Sequence, residues 1–158
     1  MSDFFALEFF LKLLASLLGT MGFSVIFGVR PKHVIFAGIG GLGAYAVYYT
    51  CGFFGASLFP CAFMSAVFAA LYSEISARIH RAPTAVFLIP CGIPIVPGGD
   101  LYFTMRYLLE GNFERSVEHL TSAFKIGIGM AGGIVAVSVV WGLVFNIRSH
   151  YLKVKNSK

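Results

Sequence analysis

The chain has 158 residues, of which 58% are hydrophobic and only 12% are charged, and its mean hydropathy is +0.82. Soluble domains carry about a quarter charged residues, so this composition excludes a water-soluble globular protein and predicts an integral membrane protein with a single transmembrane domain over 1–158. The net charge of +5 comes from scattered basic residues without interleaved aromatics, a pattern that argues against a nucleic-acid partner.

Five apolar segments are each long enough to cross a bilayer as a helix, which takes about 20 residues. The sequence therefore predicts an all-α integral membrane protein with five transmembrane helices. The first segment has no basic start and is longer than the core of a signal peptide, so we interpret it as a retained helix. The five segments are 4–27, 34–53, 57–77, 84–108 and 120–147.

The connections between these segments alternate in charge. Basic residues occur in VRPKH (29–33), in RIHRAP (78–83) and in the tail after Asn146, whereas 51–57 is uncharged and 110–119 carries three glutamates. Lys and Arg collect on the cytoplasmic side of membrane proteins. Five spans put the three basic segments on one side, which predicts an outside N-terminus and a cytoplasmic C-terminus.

Glycines cluster in the second and fifth spans. In lipid, helices associate through close backbone approach, which small residues permit. The clusters predict either helix association within this chain or an interface with a second copy, giving a homo-oligomer. The glycines are Gly38, Gly40, Gly41 and Gly43 in the second span, and Gly127, Gly129, Gly132 and Gly133 in the fifth.

The fourth span is interrupted in its middle, in the stretch IPCGIPIVPGGDLYFTMRYL (89–108). Proline inside a helix removes a hydrogen bond and clashes with the preceding turn, so Pro94 to Gly99 cannot continue one regular helix. Backbone groups freed within hydrocarbon need partners, so we expect the break to lie inside the bundle rather than against lipid.

The residues after the break predict a second helix whose N-terminus could hold a substrate. Broken membrane helices of transporters present such N-termini to anionic groups, and glycine lets a ligand approach the backbone. The candidate substrate-binding residues are Pro94, Pro97, Gly98, Gly99, Asp100, Tyr102 and Arg106. Two alternatives stay open: Asp100 only caps the second helix, and Arg106 pairs with Glu110 four residues on.

Two acids are candidates for proton coupling, Asp100 and Glu74, although Glu74 could instead pair with Arg78. The sequence contains no GxxxxGK[ST], HExxH or GxSxG motif, so we expect neither ATP hydrolysis nor an enzyme. The cysteines and histidines form no metal-ligand spacing, and we predict no metal and no cofactor.

The broken span also carries a resemblance to a known family. Its pattern P-x-x-I-P-x-V-P-G-G-x-x-Y-x-T-M, from Pro90 to Met105, and the following LLEGNFERSVEHLTSAFKIGIGMAGGIVAVS resemble the C-terminal module of the threonine/serine exporter family. Upstream, GFSVIFGVRPKHVIFAGIGGLG and SEISARIHRAPTAVFLIP are similar to the family's first turn and to the approach to its broken span. The resemblance covers nearly the whole chain.

The resemblance implies a five-span small subunit of a split exporter in the bacterial inner membrane, working with a larger membrane subunit of the same family. The expected function is secondary, proton-coupled export of small carboxylate-bearing metabolites, with threonine and serine first and a dicarboxylate such as succinate as an alternative. Position 100 departs from the family pattern, so Asp100 would not belong to a shared mechanism. A further alternative is a scaffold subunit that docks the partner and transports nothing itself.

Overall fold

The computed structural model describes the backbone over 2–155 and the side-chain environments over 7–143. Within the described backbone the chain forms helices and no strand. The basic residues of the tail and His150 lie outside the residues whose side chains are described. The helices are α1 (Ser2–Ile26), α2 (Pro31–Phe53), α3 (Leu58–Ile79), α4 (Ala85–Gly92), a 3₁₀ turn (Ile93–Ile95), α5 (Gly98–Leu109) and α6 (Phe113–Lys155).

Four of these helices, α1, α2, α3 and α6, are long and apolar enough to cross a membrane. The pair formed by Ala85–Ile95 and Gly98–Leu109 passes the same test together and is bent by 49° at the break. Counted as one span, this pair gives five spans in the described residues. The predicted all-α membrane fold is confirmed, and so is the interruption of the fourth span.

The last helix begins earlier than the sequence suggested. The segment 110–119 was predicted to connect two spans, but α6 starts at Phe113. Gly111 has a φ of 76° just after the end of α5, and the Asn112 side-chain oxygen accepts a hydrogen bond of 3.3 Å from the backbone N–H of Arg115. A left-handed glycine followed by an Asn cap ends one helix and starts the next within three residues.

The glycine clusters lie where helices of this chain touch. A Cβ added to Gly129 would lie 2.7 Å from the carbonyl oxygen of Phe59 in α3, and one added to Gly133 would lie 2.6 Å from that of Phe63. A Cβ on Gly41 of α2 would likewise overlap the side chain of Thr20 in α1. Helix association within the chain, the first interpretation of the clusters, is therefore confirmed for these glycines.

The basic connections lie at one end of the bundle. Residues of 27–33 and of 80–83 line the same cavity, which places the first and third connections together. The guanidinium of Arg78, near the end of α3, lies 4.8 Å from the ring centre of Trp141 in α6. The final helix therefore runs parallel to α3 and leads the chain toward the same end.

Candidate transport site at the broken span

The break lies near mid-height of the span. The 8 residues of α4 and the 3 of the 3₁₀ turn extend about 18 Å, and the 12 residues of α5 extend about as far on the other side. A hydrocarbon core is about 30 Å thick, so one span made of both halves would place the residues between them close to its centre. Val96 and Pro97 link the halves without belonging to either helix.

The two halves differ in how they are enclosed. Phe87, Cys91 and Ile95 in the first half are buried against neighbouring helices, whereas no residue of α5 is buried. Val96 and the two glycines that follow Pro97 are exposed in the chain. The expectation that the break lies inside the bundle was therefore wrong for the half after Pro97, because α5 packs mainly on α6 and leaves its other side open.

The N-terminus of α5 is open at its glycines. A Cβ on Gly98 or on Gly99 would meet no atom within 4 Å. Pro97 is the N-cap and makes no side-chain hydrogen bond to the helix. The first backbone N–H groups of any α-helix lack intrahelical acceptors and carry partial positive charge. The Gly98 N–H already donates to the Val96 carbonyl at 2.7 Å, so an anion at this helix end would meet the N–H groups that follow it, where no side chain lies against the glycines.

The predicted site residues lie on two faces of α5. Gly98, Gly99, Tyr102 and Arg106 share the open face, where the tyrosine is 63% exposed. Asp100 lies on the opposite face, toward α6. The structure thus brings most of the predicted residues together but separates Asp100 from them.

Two of the alternatives for these side chains are decided by their contacts. The Arg106 guanidinium donates to Glu110 at 2.9 Å, which is the predicted pair four residues apart. Asp100 is the third residue of α5, and its carboxylate lies 2.9 Å from a ring nitrogen of His119 on α6. The Asp100 side chain makes no capping hydrogen bond, although a negative charge in the first turn still interacts favourably with the helix dipole.

His119 is the residue of this region that sequence reasoning missed. Its ring stacks on those of Phe103 and Tyr107, with centroid distances of 5.3 and 5.6 Å. One turn earlier in α6, the Ser116 hydroxyl donates to the Thr104 carbonyl at 2.8 Å. The three-residue loop makes α5 and α6 an antiparallel hairpin, and that topology was the available signal that residues 100 and 119 would meet.

The second candidate for proton coupling lies elsewhere. Glu74 is half-buried in the last two turns of α3, at the end of the bundle that carries His80. Asp100 lies beyond the break, on the half of the span that leads away from that end. The two acids therefore do not form one site.

The comparison with known families decides the class of the protein. A family model described as "Threonine/Serine exporter, ThrE" matches residues 12–140, well over half of the chain. The chain belongs to the threonine/serine exporter family. Comparison with the curated proteins gave no match, and comparison with solved structures gave none either. The matched region of this exporter chain includes the second, third and fourth spans with the whole of the break, and most of the first and last spans.

Membership agrees with the fold. A multi-pass helical membrane protein with an interrupted span is the architecture that secondary transporters use to expose a helix end at mid-membrane. The chain is therefore a membrane transporter of the exporter type.

Proposed function

We propose that this chain is the small membrane subunit of a proton-coupled secondary exporter and that it acts with a larger subunit of the same family. Its cargo is a small metabolite bearing a carboxylate, with threonine and serine as the first candidates and a dicarboxylate such as succinate as the alternative. The family assignment supports the exporter class.

One observation carries the site assignment. The helix end at Gly98 and Gly99 is open, lies near mid-height of the span and faces outward from the bundle. A carboxylate placed there would accept backbone hydrogen bonds and meet the positive end of the helix dipole. Tyr102 and Arg106 flank the same open face, so a path between this face and the larger subunit would pass all four residues.

Proton coupling is proposed for Asp100. Its hydrogen bond to His119 gives the carboxylate a partner for proton transfer. Asp100 lies next to the break, on the face of α5 that packs on α6. The three basic segments at one end support a cytoplasmic C-terminus and an outside N-terminus in a bacterial inner membrane.

The test is export from cells loaded with a threonine- or serine-containing dipeptide and expressing this chain with its larger subunit. We expect Gly99→Val to abolish export while the pair still assembles, because the side chain fills the space a carboxylate would take. Gly22→Val in α1 is the matched control, since Gly22 also has no atom within 4 Å of an added Cβ. Unaltered export from Gly99→Val would overturn the site.

A scaffold role is the second candidate, and the exposure of α5 is the observation that favours it. A helix with no buried residue in the chain offers a surface for the larger subunit. Under that role Gly99→Val would weaken co-purification of the two subunits. Normal co-purification with lost export would argue for the transport site instead.

A further inference from the structure

A cavity lies at the basic end of the bundle, far from the open glycines. Its volume is about 500 Å³, within the range of small-molecule sites. Four helix ends surround it: the ends of α1 and α3, and the beginnings of α2 and α4. Ile89 and Pro90 of α4 form part of its wall, so the cavity borders the first half of the broken span.

The side chains that line this cavity are basic or neutral. Arg30, Arg81, His33 and His80 contribute all of its ionisable groups, and no acid is among the lining residues. The starts of α2 and α4 bring the positive ends of two helix dipoles, and the ends of α1 and α3 bring two negative ends, so the preference for an anion comes from the side chains. The ionisable side chains of the cavity are therefore suited to an anion, and none of them is an acid that would pair with an ammonium group.

His33 supplies an independent sign of a missing partner. The side chain is 4% exposed, and its Nδ1 atom is buried without a hydrogen-bond partner. Buried polar atoms are nearly always hydrogen-bonded, so an orphaned one needs an explanation. The neighbouring His80 is already engaged, with its Nδ1 2.9 Å from the Ser76 carbonyl oxygen. Because His33 also lines the cavity, a molecule held there is a candidate partner for this atom.

Arg81 is held in a backbone conformation that normally selects glycine. It has a φ of 49°, the only positive value among the described residues other than glycine. Ala82 N–H donates to the Ala77 carbonyl and Arg81 N–H to that of Arg78, the hydrogen-bond pattern of a Schellman helix end. The ends of α1, α2 and α5 have the same pattern with Gly28, Gly55 and Gly111 at this position.

Strain at one such position calls for a reason specific to its side chain. Of the four helix ends with this pattern, those of α1 and α3 both border the cavity, and the α3 end has arginine where the other three have glycine. The arginine lines the cavity together with Arg30 from the α1–α2 connection. The strained backbone thus occurs at an arginine that lines the cavity.

We propose that this cavity is a binding site for a small organic anion, whose carboxylate is held by Arg30 and Arg81 and completed by His33. The role of the cavity rests on the proposed function: the cargo binds in the cavity at the cytoplasmic end and then moves along α4 to the break. A dicarboxylate satisfies both arginines, so we expect the alternative cargo of the proposed function to bind here more tightly than threonine or serine, whose ammonium meets no acidic side chain in the cavity.

The test measures succinate binding to the purified two-subunit complex in nanodiscs of phosphatidylcholine by calorimetry, with threonine as the second probe. We expect Arg81→Gly to weaken succinate binding at least about tenfold, the loss typical of one charge-assisted contact. Arg30→Gln should do the same. Lys32→Gln is the matched control, because it removes a neighbouring positive charge that does not line the cavity, and it should change binding less than twofold.

We expect Arg81→Gly to remain folded, because glycine relieves the strained backbone at this position. Its thermal midpoint should match or exceed that of the parent. Nitrogen-15 spectra of labelled histidine should show a His33 shift on addition of succinate in the parent and none in the variant. The site would be overturned if Arg81→Gly bound succinate as tightly as the parent. It would also be overturned if Lys32→Gln lost as much affinity for succinate as Arg81→Gly.

A lipid headgroup carries the same anionic chemistry, and the nanodisc composition separates the two sources. If phosphatidylglycerol alone shifts His33 and blocks succinate, the site holds lipid and the cargo assignment fails. The outcome is also distinguishable from failure of the proposed function. If succinate binds and Gly99→Val exports normally, the cavity stands as a binding site and the break does not. If succinate does not bind and Gly99→Val loses export, the break stands as a site and the cavity does not.

Discussion

The contact between α3 and α6 makes a quantitative prediction for Gly133→Ala. The added Cβ would lie 2.6 Å from the Phe63 carbonyl oxygen and 2.8 Å from the Cβ of Ala66. The oxygen belongs to the backbone of a helix and cannot rotate away. Restoring a contact of about 3.5 Å requires the two helices to separate by roughly 1 Å, and a gap of that size forfeits about a quarter to a half of each neighbouring van der Waals contact.

Overpacking of this kind costs about 1–3 kcal/mol of the free energy of unfolding. Gly127→Ala is the matched control in the same helix, because nothing lies within 4 Å of its added Cβ. Alanine is a better helix former than glycine by about 1 kcal/mol in a helix interior, so the control should be neutral or mildly stabilising.

The assay is reversible unfolding of the purified chain in mixed micelles, followed by circular dichroism as the fraction of sodium dodecyl sulfate rises. Gly133→Ala should unfold at a lower fraction of that detergent than the parent, and Gly127→Ala at an equal or higher one. If the two variants unfold together, the α3–α6 contact is looser than the structure indicates and the glycine explanation is wrong.

Three further predictions concern polar contacts and thiols. Asp100→Asn should cost about 1 kcal/mol of stability through the weakened bond to His119, and it should reduce export driven by an imposed pH gradient; unchanged gradient-driven export would refute the coupling role. In intact cells a membrane-impermeant maleimide should label the partly exposed Cys51 and spare the fully buried Cys91, and a failure to label Cys51 from outside would contradict the proposed orientation. Tyr72→Phe should lower the unfolding free energy by about 1 kcal/mol, because its hydroxyl donates to a carbonyl of α2 at 2.7 Å; a parent-like unfolding curve would show that water replaces this bond.

The helix count and the break could be predicted because they depend on local rules. Apolar length fixes the spans, and two prolines followed by two glycines cannot continue a regular helix. The structure adds what those rules leave open, namely that the chain passes through a 3₁₀ turn at Ile93–Ile95 and bends at Val96 and Pro97. The early start of α6 was also readable in principle, from Gly111 and Asn112 as stop and start signals.

The surroundings of the site could not be predicted in the same way, because they depend on which helices meet. The partner of Asp100 comes from α6, and its position follows from how α5 folds back on that helix. The basic cavity unites residues from two connections about fifty positions apart in the chain. Periodicity along one helix gives its faces but does not say which face a neighbour covers, so Tyr102 and Asp100 were grouped although they point in opposite directions.

The packing of α4 constrains where a transport path can run. A Cβ on Gly40 of α2 would overlap both the Cys91 sulfur of α4 and the ring of Tyr72, so no space for cargo exists between these helices. The outer side of the broken span is different, since Ile89 and Val96 are each about half exposed. Ile89 borders the basic cavity, and Val96 adjoins the open glycines. A cargo molecule that moves from the cavity to the break would therefore follow the outer surface of α4. Hydrocarbon cannot solvate a carboxylate along that surface, so the proposed path requires a second protein surface to enclose it, and this is the physical reason for assigning the larger subunit to that side.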